Sequence, residues 1–290
     1  MSYPAPSAVL TLLKPVTWFA PMWAFACGAV SVGLTTEGRW PVIFAGVLLA
    51  GPLVCATSQA VNDWFDRHVD AINEPDRPIP SGRIPGTWGL WIGIFWTTLS
   101  MLVALWIGIE VFFAALVGIA FAWAYSAPPL RLKKNGWIGN AAVAVCYEGL
   151  PWLTGAMVMA AAVPNWRIVA LAGLYSLGAH GIMTLNDFKA VSGDRELGIR
   201  SLPVQLGVGA AARLACAVMV VPQIVVIALL IHWGALYYAA AVAGLLVCQF
   251  LLMPRLLRDP EKYAPWYNAT GTTLYVIGML VSAFALNGLS

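Results

Sequence analysis

Between Arg213 and Arg255 the chain runs for 41 residues, Leu214 to Pro254, without an Asp, Glu, Lys or Arg. At 1.5 Å per helical residue this is about twice the ~30 Å hydrocarbon thickness of a bilayer, so the run reads as two spans turning at His232, Trp233 and Gly234. Charges delimit further uncharged runs at Lys14 to Glu37, Arg39 to Asp63, Arg83 to Glu110 and Glu110 to Arg131. Residues 137 to 163 and 168 to 185 give a fifth and a sixth span, carrying Glu148 and His180, and a last run covers about Trp266 to Leu286. The expectation is an all-α polytopic membrane protein, nine transmembrane helices around a central cavity in one domain over residues 1–290. With 60% of its 290 residues apolar and 10% charged, the chain has no room for a separate soluble domain. A net charge of +3 is no nucleic-acid-binding signature. The first apolar stretch lacks a small-x-small cleavage pattern and is expected to stay as a span, with the mature chain starting near Met1. Cys27, Cys55, Cys146, Cys216 and Cys248 all fall in apolar stretches without paired spacing, and are expected as reduced, buried thiols.

With nine alternating crossings, all of the sixteen Lys and Arg except Arg39 and Arg167 fall on one side. The positive-inside rule makes that side cytoplasmic, with the amino terminus inside and the carboxyl terminus outside. Trp40, Trp88, Trp137, Trp166, Trp233 and Trp266 stand at expected span ends, where indole rings anchor at the interface.

Acidic residues concentrate at the same cytoplasmic edge. In Asn62-Asp63-Trp64-Phe65-Asp66-Arg67-His68-Val69-Asp70 a helix would project Asp63, Asp66 and Asp70 from one stripe. Three like charges that close demand a cation, and oxygen donors suit a hard one such as Mg²⁺. Asn186, Asp187 and Asp194 repeat Asn62, Asp63 and Asp70 at a constant offset of 124, with Ala190 where the middle acid would stand. Arg-x-Ile/Leu-Pro follows each cluster, at Arg77 to Pro80 and Arg200 to Pro203. Two related halves, about 15–130 and 137–290, are therefore expected to bring both clusters to one cavity. Carboxylates that hold Mg²⁺ beside Arg77, Arg83, Arg131, Lys133, Lys134, Lys189, Arg195 and Arg200 are the composition a diphosphate requires. At the mouth of an apolar bundle, an isoprenyl diphosphate fits.

The strings NDWFDRHVDAINEPDRPIPSG (62–82), YSAPPLRLKKNGWIGN (125–140) and NDFKAVSGDRELGIRSLPVQLG (186–207) resemble the chlorophyll and bacteriochlorophyll synthases of the UbiA-type membrane prenyltransferase superfamily. The short amino-terminal arm resembles most the bacteriochlorophyll branch of phototrophic bacteria. The resemblance implies transfer of a geranylgeranyl or phytyl group from its diphosphate to the propionate of bacteriochlorophyllide a, in a bacterial inner (intracytoplasmic) membrane. It implies Asp66, Asp70, Asp187 and Asp194 as catalytic residues and Asn62, Asp66, Asp70, Asp187 and Asp194 as Mg²⁺ ligands. Asn62, Asp63, Arg77, Tyr125, Ser126, Arg131, Lys133, Asn186, Lys189, Arg200 and Glu148 are expected to contact substrates. Other pigment-synthesis or light-harvesting assembly proteins are expected partners.

Several roles stay open on sequence. Asp63 is read as a metal ligand or as an acid orienting the arginines. Glu148 fits the acceptor, the prenyl channel or an internal hydrogen bond; His180 fits the chlorin magnesium or a satisfied core position. Trp152, Phe188 and Tyr147 suit stacking on a macrocycle or ordinary packing. Chlorophyllide, a quinone precursor or haem are alternative acceptors. An ion-coupled transporter is the alternative of another class, disfavoured because the acids sit at one edge and not near the midplane.

Overall fold

The computed structural model describes residues 3–196 and 198–289, and among them the only strand-like feature is an isolated backbone bridge between Asn135 and Arg200. The first span is not one straight helix. Helix α1 (Pro6–Leu13) leads through Lys14 and a 3-10 turn at Pro15–Thr17 into α2 (Phe19–Val30), with a bend of 54°. The cause is Pro15: its ring bars the preceding residue from the right-handed helical region, and Lys14 sits at φ 47°.

Helix α3 (Trp40–Leu48), a π-helical stretch at Leu49–Cys55 around Pro52, and α4 (Ala56–Asn73) form one rod of 34 residues. At ~51 Å it exceeds the hydrocarbon thickness, so its last turns, which carry the first acidic cluster, project beyond the lipid. Helices α5 (Trp88–Ile107) and α6 (Ile109–Ser126) meet at Gly108. Helix α7 (Gly136–Ala144) passes through a second π-helical stretch, Val145–Gly149, into α8 (Leu150–Ala160). Helix α9 (Trp166–Asp187) gives way at a 3-10 turn, Phe188–Ala190, to the short α10 (Val191–Glu196). The chain closes with α11 (Leu202–Leu206), α12 (Val208–His232), α13 (Leu236–Arg258) and α14 (Pro260–Asn287). Among the described residues eight helices are long and apolar enough to span, and the bent α1–α2 pair makes nine.

Lipid-embedded helices associate through close packing, which small residues permit. Helices α2 and α8 use a reciprocal pair. A Cβ on Gly28 would lie 1.8 Å from the Trp152 carbonyl oxygen, and one on Gly155 would lie 2.0 Å from that of Phe25. Helix α9 runs through the centre, burying Leu171, Tyr175 and Ala179. Several interior polar groups are paired, as the absence of water favours. Tyr275 donates to the Tyr175 carbonyl at 2.6 Å, Tyr175 meets Ser282 at 2.7 Å, and Gln223 and Gln249 bond reciprocally. Trp152 belongs to this core, stacked on Tyr175 at 5.6 Å and donating to Ser31, and Phe188 is 2% exposed. Neither ring is a platform for a macrocycle. All five cysteines are free, but the expectation of burial fails for exposed Cys248 and half-buried Cys146.

Arg39 and Arg167, the two basic residues expected on the opposite side from the rest, have structural roles. Arg39 donates to the Val158 carbonyl at 3.1 Å and Arg167 to that of Leu289 at 3.2 Å, each at the far end of another helix, where unpaired carbonyls attract cations.

Candidate active site

Helix periodicity places Asn62, Asp63, Asp66 and Asp70 along one stripe of α4, yet their partners differ. Asp63, 1% exposed, takes Lys14 at 2.7 Å and Arg77 at 3.2 Å. Asp70 takes the same Arg77 at 2.9 Å, and Glu74 closes a third contact with that guanidinium. The hydrogen bond from Arg77 holds the Glu74 carboxyl below its ordinary range. Asp66 instead pairs with Lys133 and accepts from Asn62 Nδ2 at 3.0 Å. Burial lowers the basicity of the Lys133 ammonium, and the charge of Asp66 partly restores it. Asn62 Nδ2 also donates to Ser126 Oγ at 3.1 Å. The amide nitrogen is thus committed, and the carbonyl oxygen is the donor atom Asn62 has for a cation.

The second cluster lies where α9 breaks. Asp187 accepts from Asn140 of α7 at 3.0 Å, and Asn186 Oδ1 accepts from Asn268 of α14 at 2.8 Å. Asp194 stands on α10. Lys189 and Arg200 are exposed, and the Lys189 charge reaches Glu74 beside the first cluster. Arg131, at φ 42°, has a buried Nε without a partner. The Arg131–Lys134 loop is tied to the tetrad of the second half by backbone bonds: Arg200 N–H donates to the Lys134 carbonyl at 3.0 Å, and Gly136 N–H to that of Arg200 at 2.8 Å.

Asn62 and Asn186, which lead the two clusters, line one cavity of about 800 Å³ together with Tyr125, while the aspartates of both clusters and the expected cations lie outside its wall. Tyr125 lies within electrostatic reach of Asp187, Asp66 and Asp194, acids of both motifs. Deeper, the wall turns apolar at Ala50, Val54, Gly118, Phe121, Ala142 and Val143. Polar groups gather at the mouth and a greasy channel continues inward: the geometry of an amphiphile with an anionic head.

Among the described residues no three of His, Cys, Asp and Glu converge as a ready-made metal cage. The proposed ligands Asn62, Asp66, Asp70, Asp187 and Asp194 instead stand in two groups, and cations neutralise the first. The donors are nonetheless all oxygens. Mg²⁺ commonly takes one or two carboxylates and completes its shell with phosphate oxygens and water, so two half-sites facing one cavity suit it without a protein cage.

Glu148 lies away from the cavity wall. The wider π-helical turn seats it in the bundle, 3% exposed, with Oε2 unpartnered. Its place is interior, off the wall that Asn62 and Asn186 line. His180 Nε2 is satisfied by the Trp137 carbonyl at 3.2 Å. Sequence reasoning passed over Lys14, Asn140, Gln59 and Asn268. A polar amide inside an apolar run was the available signal for Asn140 and Gln59; Lys14 had read only as a topology marker.

The profile of the UbiA prenyltransferase family matches residues 19–274. The chain is 58% identical over 288 residues to the bacteriochlorophyll synthase 33 kDa chain of Cereibacter sphaeroides, covering 99% of this chain and 95% of that one. It is 42% identical over 289 residues to the chloroplastic chlorophyll synthase of Avena sativa, covering 95% and 75%. The fold matches a UbiA homolog from Archaeoglobus fulgidus bound to GPP and Mg²⁺, with a TM-score of 0.69 at 21% identity over 97% of this chain and 99% of that one.

Proposed function

The chain belongs to the UbiA prenyltransferase family, and from that premise we propose that it esterifies the propionate of bacteriochlorophyllide a with a geranylgeranyl or phytyl group, releasing pyrophosphate. The observation that carries the transfer chemistry is that Asn62 and Asn186, which lead the two repeated motifs, line one cavity with an apolar floor. The higher identity to the bacteriochlorophyll synthase supports the acceptor.

Asn62 and Asp66 from the half at about 15–130, and Asp187 and Asp194 from the half at about 137–290, would hold Mg²⁺ against the diphosphate. Asp70, bound to Arg77, would join them once that guanidinium turns to the phosphates. Bound Mg²⁺ neutralises charge that builds on departing pyrophosphate. Arg77, Arg131 and Lys133 complete the clamp, with exposed Lys189 and Arg200 at its rim, and Tyr125 and Ser126 close its inner wall. The acceptor is already a carboxylate near neutral pH, so no general base is needed, and positioning dominates. The excess of Lys and Arg in the loops on this side supports a site on the cytoplasmic face of the bacterial inner membrane.

Membranes containing the protein, given geranylgeranyl diphosphate, Mg²⁺ and equal bacteriochlorophyllide a and chlorophyllide a, should esterify the former preferentially. The two pigments differ away from the carboxylate, so discrimination rests on pocket contacts worth about 1–3 kcal/mol, roughly 10- to 200-fold. A preference for chlorophyllide would overturn the acceptor; no ester from either would overturn the reading.

A further inference from the structure

The two π-helical stretches meet over the cavity. Cys55 closes the first and Tyr147 lies in the second, and Cys55 Sγ is 3.3 Å from the Tyr147 hydroxyl. A π-turn is costly inside a helix and recurs where side chains must be re-aimed at a site. Gln59, three residues before Asn62 and so ~4.5 Å deeper along α4, donates to the same hydroxyl at 3.0 Å. All three residues line the cavity.

The hydrogen-bond inventory of this wall is informative. Thr17 donates its hydroxyl proton to the Lys14 carbonyl, Ser58 to that of Cys55, and Thr272 to Asn268 Oδ1. Both amide hydrogens of Asn62 are committed to Asp66 and Ser126. Tyr147 accepts from Gln59, and the Cys55 thiol, whose single proton also has the Thr17 carbonyl at 3.6 Å, is 3.3 Å from its oxygen; with that thiol turned to Tyr147, the phenol proton is left for the cavity. The second Nε2 hydrogen of Gln59 is likewise uncommitted. Tyr125, the other phenol here, faces the acids at the diphosphate end.

We propose that the Tyr147 hydroxyl and the Gln59 amide form the subsite for the acceptor's carboxylate, one helical turn below the diphosphate. This rests on the function proposed above. A prenyl tail offers no oxygen to these donors, and the diphosphate stays with the cations, so the carboxylate is the substrate group that needs them. Neutral donors also suit a nucleophile: they compensate its desolvation without the tight ion pairing to Lys or Arg that would blunt its attack. One carboxylate oxygen accepts from Tyr147 and Gln59. The other bonds to the allylic C1 as the C1–O bond to the diphosphate breaks; pyrophosphate leaves with the electron pair and no proton moves. The allylic carbon then lies between leaving group above and nucleophile below.

The test is a binding comparison on the full-length protein in detergent, without prenyl diphosphate, read by pigment fluorescence. The wild type should bind bacteriochlorophyllide a more tightly than its propionate methyl ester by roughly 10- to 100-fold, the range of hydrogen bonds to a charged group. Tyr147→Phe keeps the ring and should cut that preference about tenfold, with KM for geranylgeranyl diphosphate unchanged. Gln59→Leu, read the same way, covers a Tyr147→Phe protein that fails to fold. An undiminished preference in the variants, or a loss confined to the prenyl diphosphate KM, overturns the subsite while wild-type transfer leaves the function standing. A wild type that binds neither pigment overturns both.

Discussion

Lys14 sets its ammonium nitrogen 2.7 Å from Asp63, across 49 positions of sequence. The contact ties the bend between α1 and α2 to the helix that bears the acids. It also separates two carboxylates that look alike in sequence: Asp63 is locked between Lys14 and Arg77, whereas Asp66 faces Lys133 and the cavity residue Asn62.

Lys14→Met should therefore destabilise the fold, because it leaves Asp63 with one cation and an Oδ2 that already lacks a partner. A loss of about 1–3 kcal/mol is expected, measured as thermal unfolding in detergent. The Lys14→Met/Asp63→Asn double variant should lose less than the two single losses combined, since each single change strands the other's charge. Strict additivity would show that the pair is not coupled.

Asp66→Asn should behave in the opposite way. Its stability should stay near wild type, while kcat falls at least about 100-fold through loss of electrostatic stabilisation. Asp187→Asn should do the same from the other half-site. Chelation by EDTA should abolish transfer and excess Mg²⁺ restore it. Wild-type rates in Asp66→Asn would exclude the proposed metal role.

Single cysteines at exposed Ser81 and Ser192, in a background lacking exposed Cys248, should react with an impermeant maleimide from the cytoplasmic face. One at exposed Thr36 should react from the other face. Labelling of positions 81 and 192 from opposite faces would be incompatible with one shared site.

Gly155→Leu should prevent assembly, because even a Cβ would fall 2.0 Å from the Phe25 carbonyl oxygen and neither backbone can withdraw. The cost should exceed the roughly 1–3 kcal/mol of ordinary overpacking. Size-exclusion chromatography of the solubilised protein checks it, and a monodisperse peak at wild-type yield would argue against close α2–α8 contact.

From sequence alone, the spans and the acidic stripes were legible, each for a local reason. A bilayer admits only long apolar runs with internally satisfied backbone, so the charge-free stretches delimited the helices. The 3.6-residue period put Asp63, Asp66 and Asp70 on one stripe, and the 124-residue offset paired Asn62, Asp63 and Asp70 with Asn186, Asp187 and Asp194. Tertiary structure alone decided which cation each acid meets, that Asn62 and Asn186 share a wall, that Trp152 is core and that Tyr147 meets Cys55. The period fixes which face of a helix a residue occupies but not the depth at which two helices cross. That depth depends on contacts such as Gly28 against Trp152, and on two π-turns that rotate everything beyond them, neither of which a local pattern encodes.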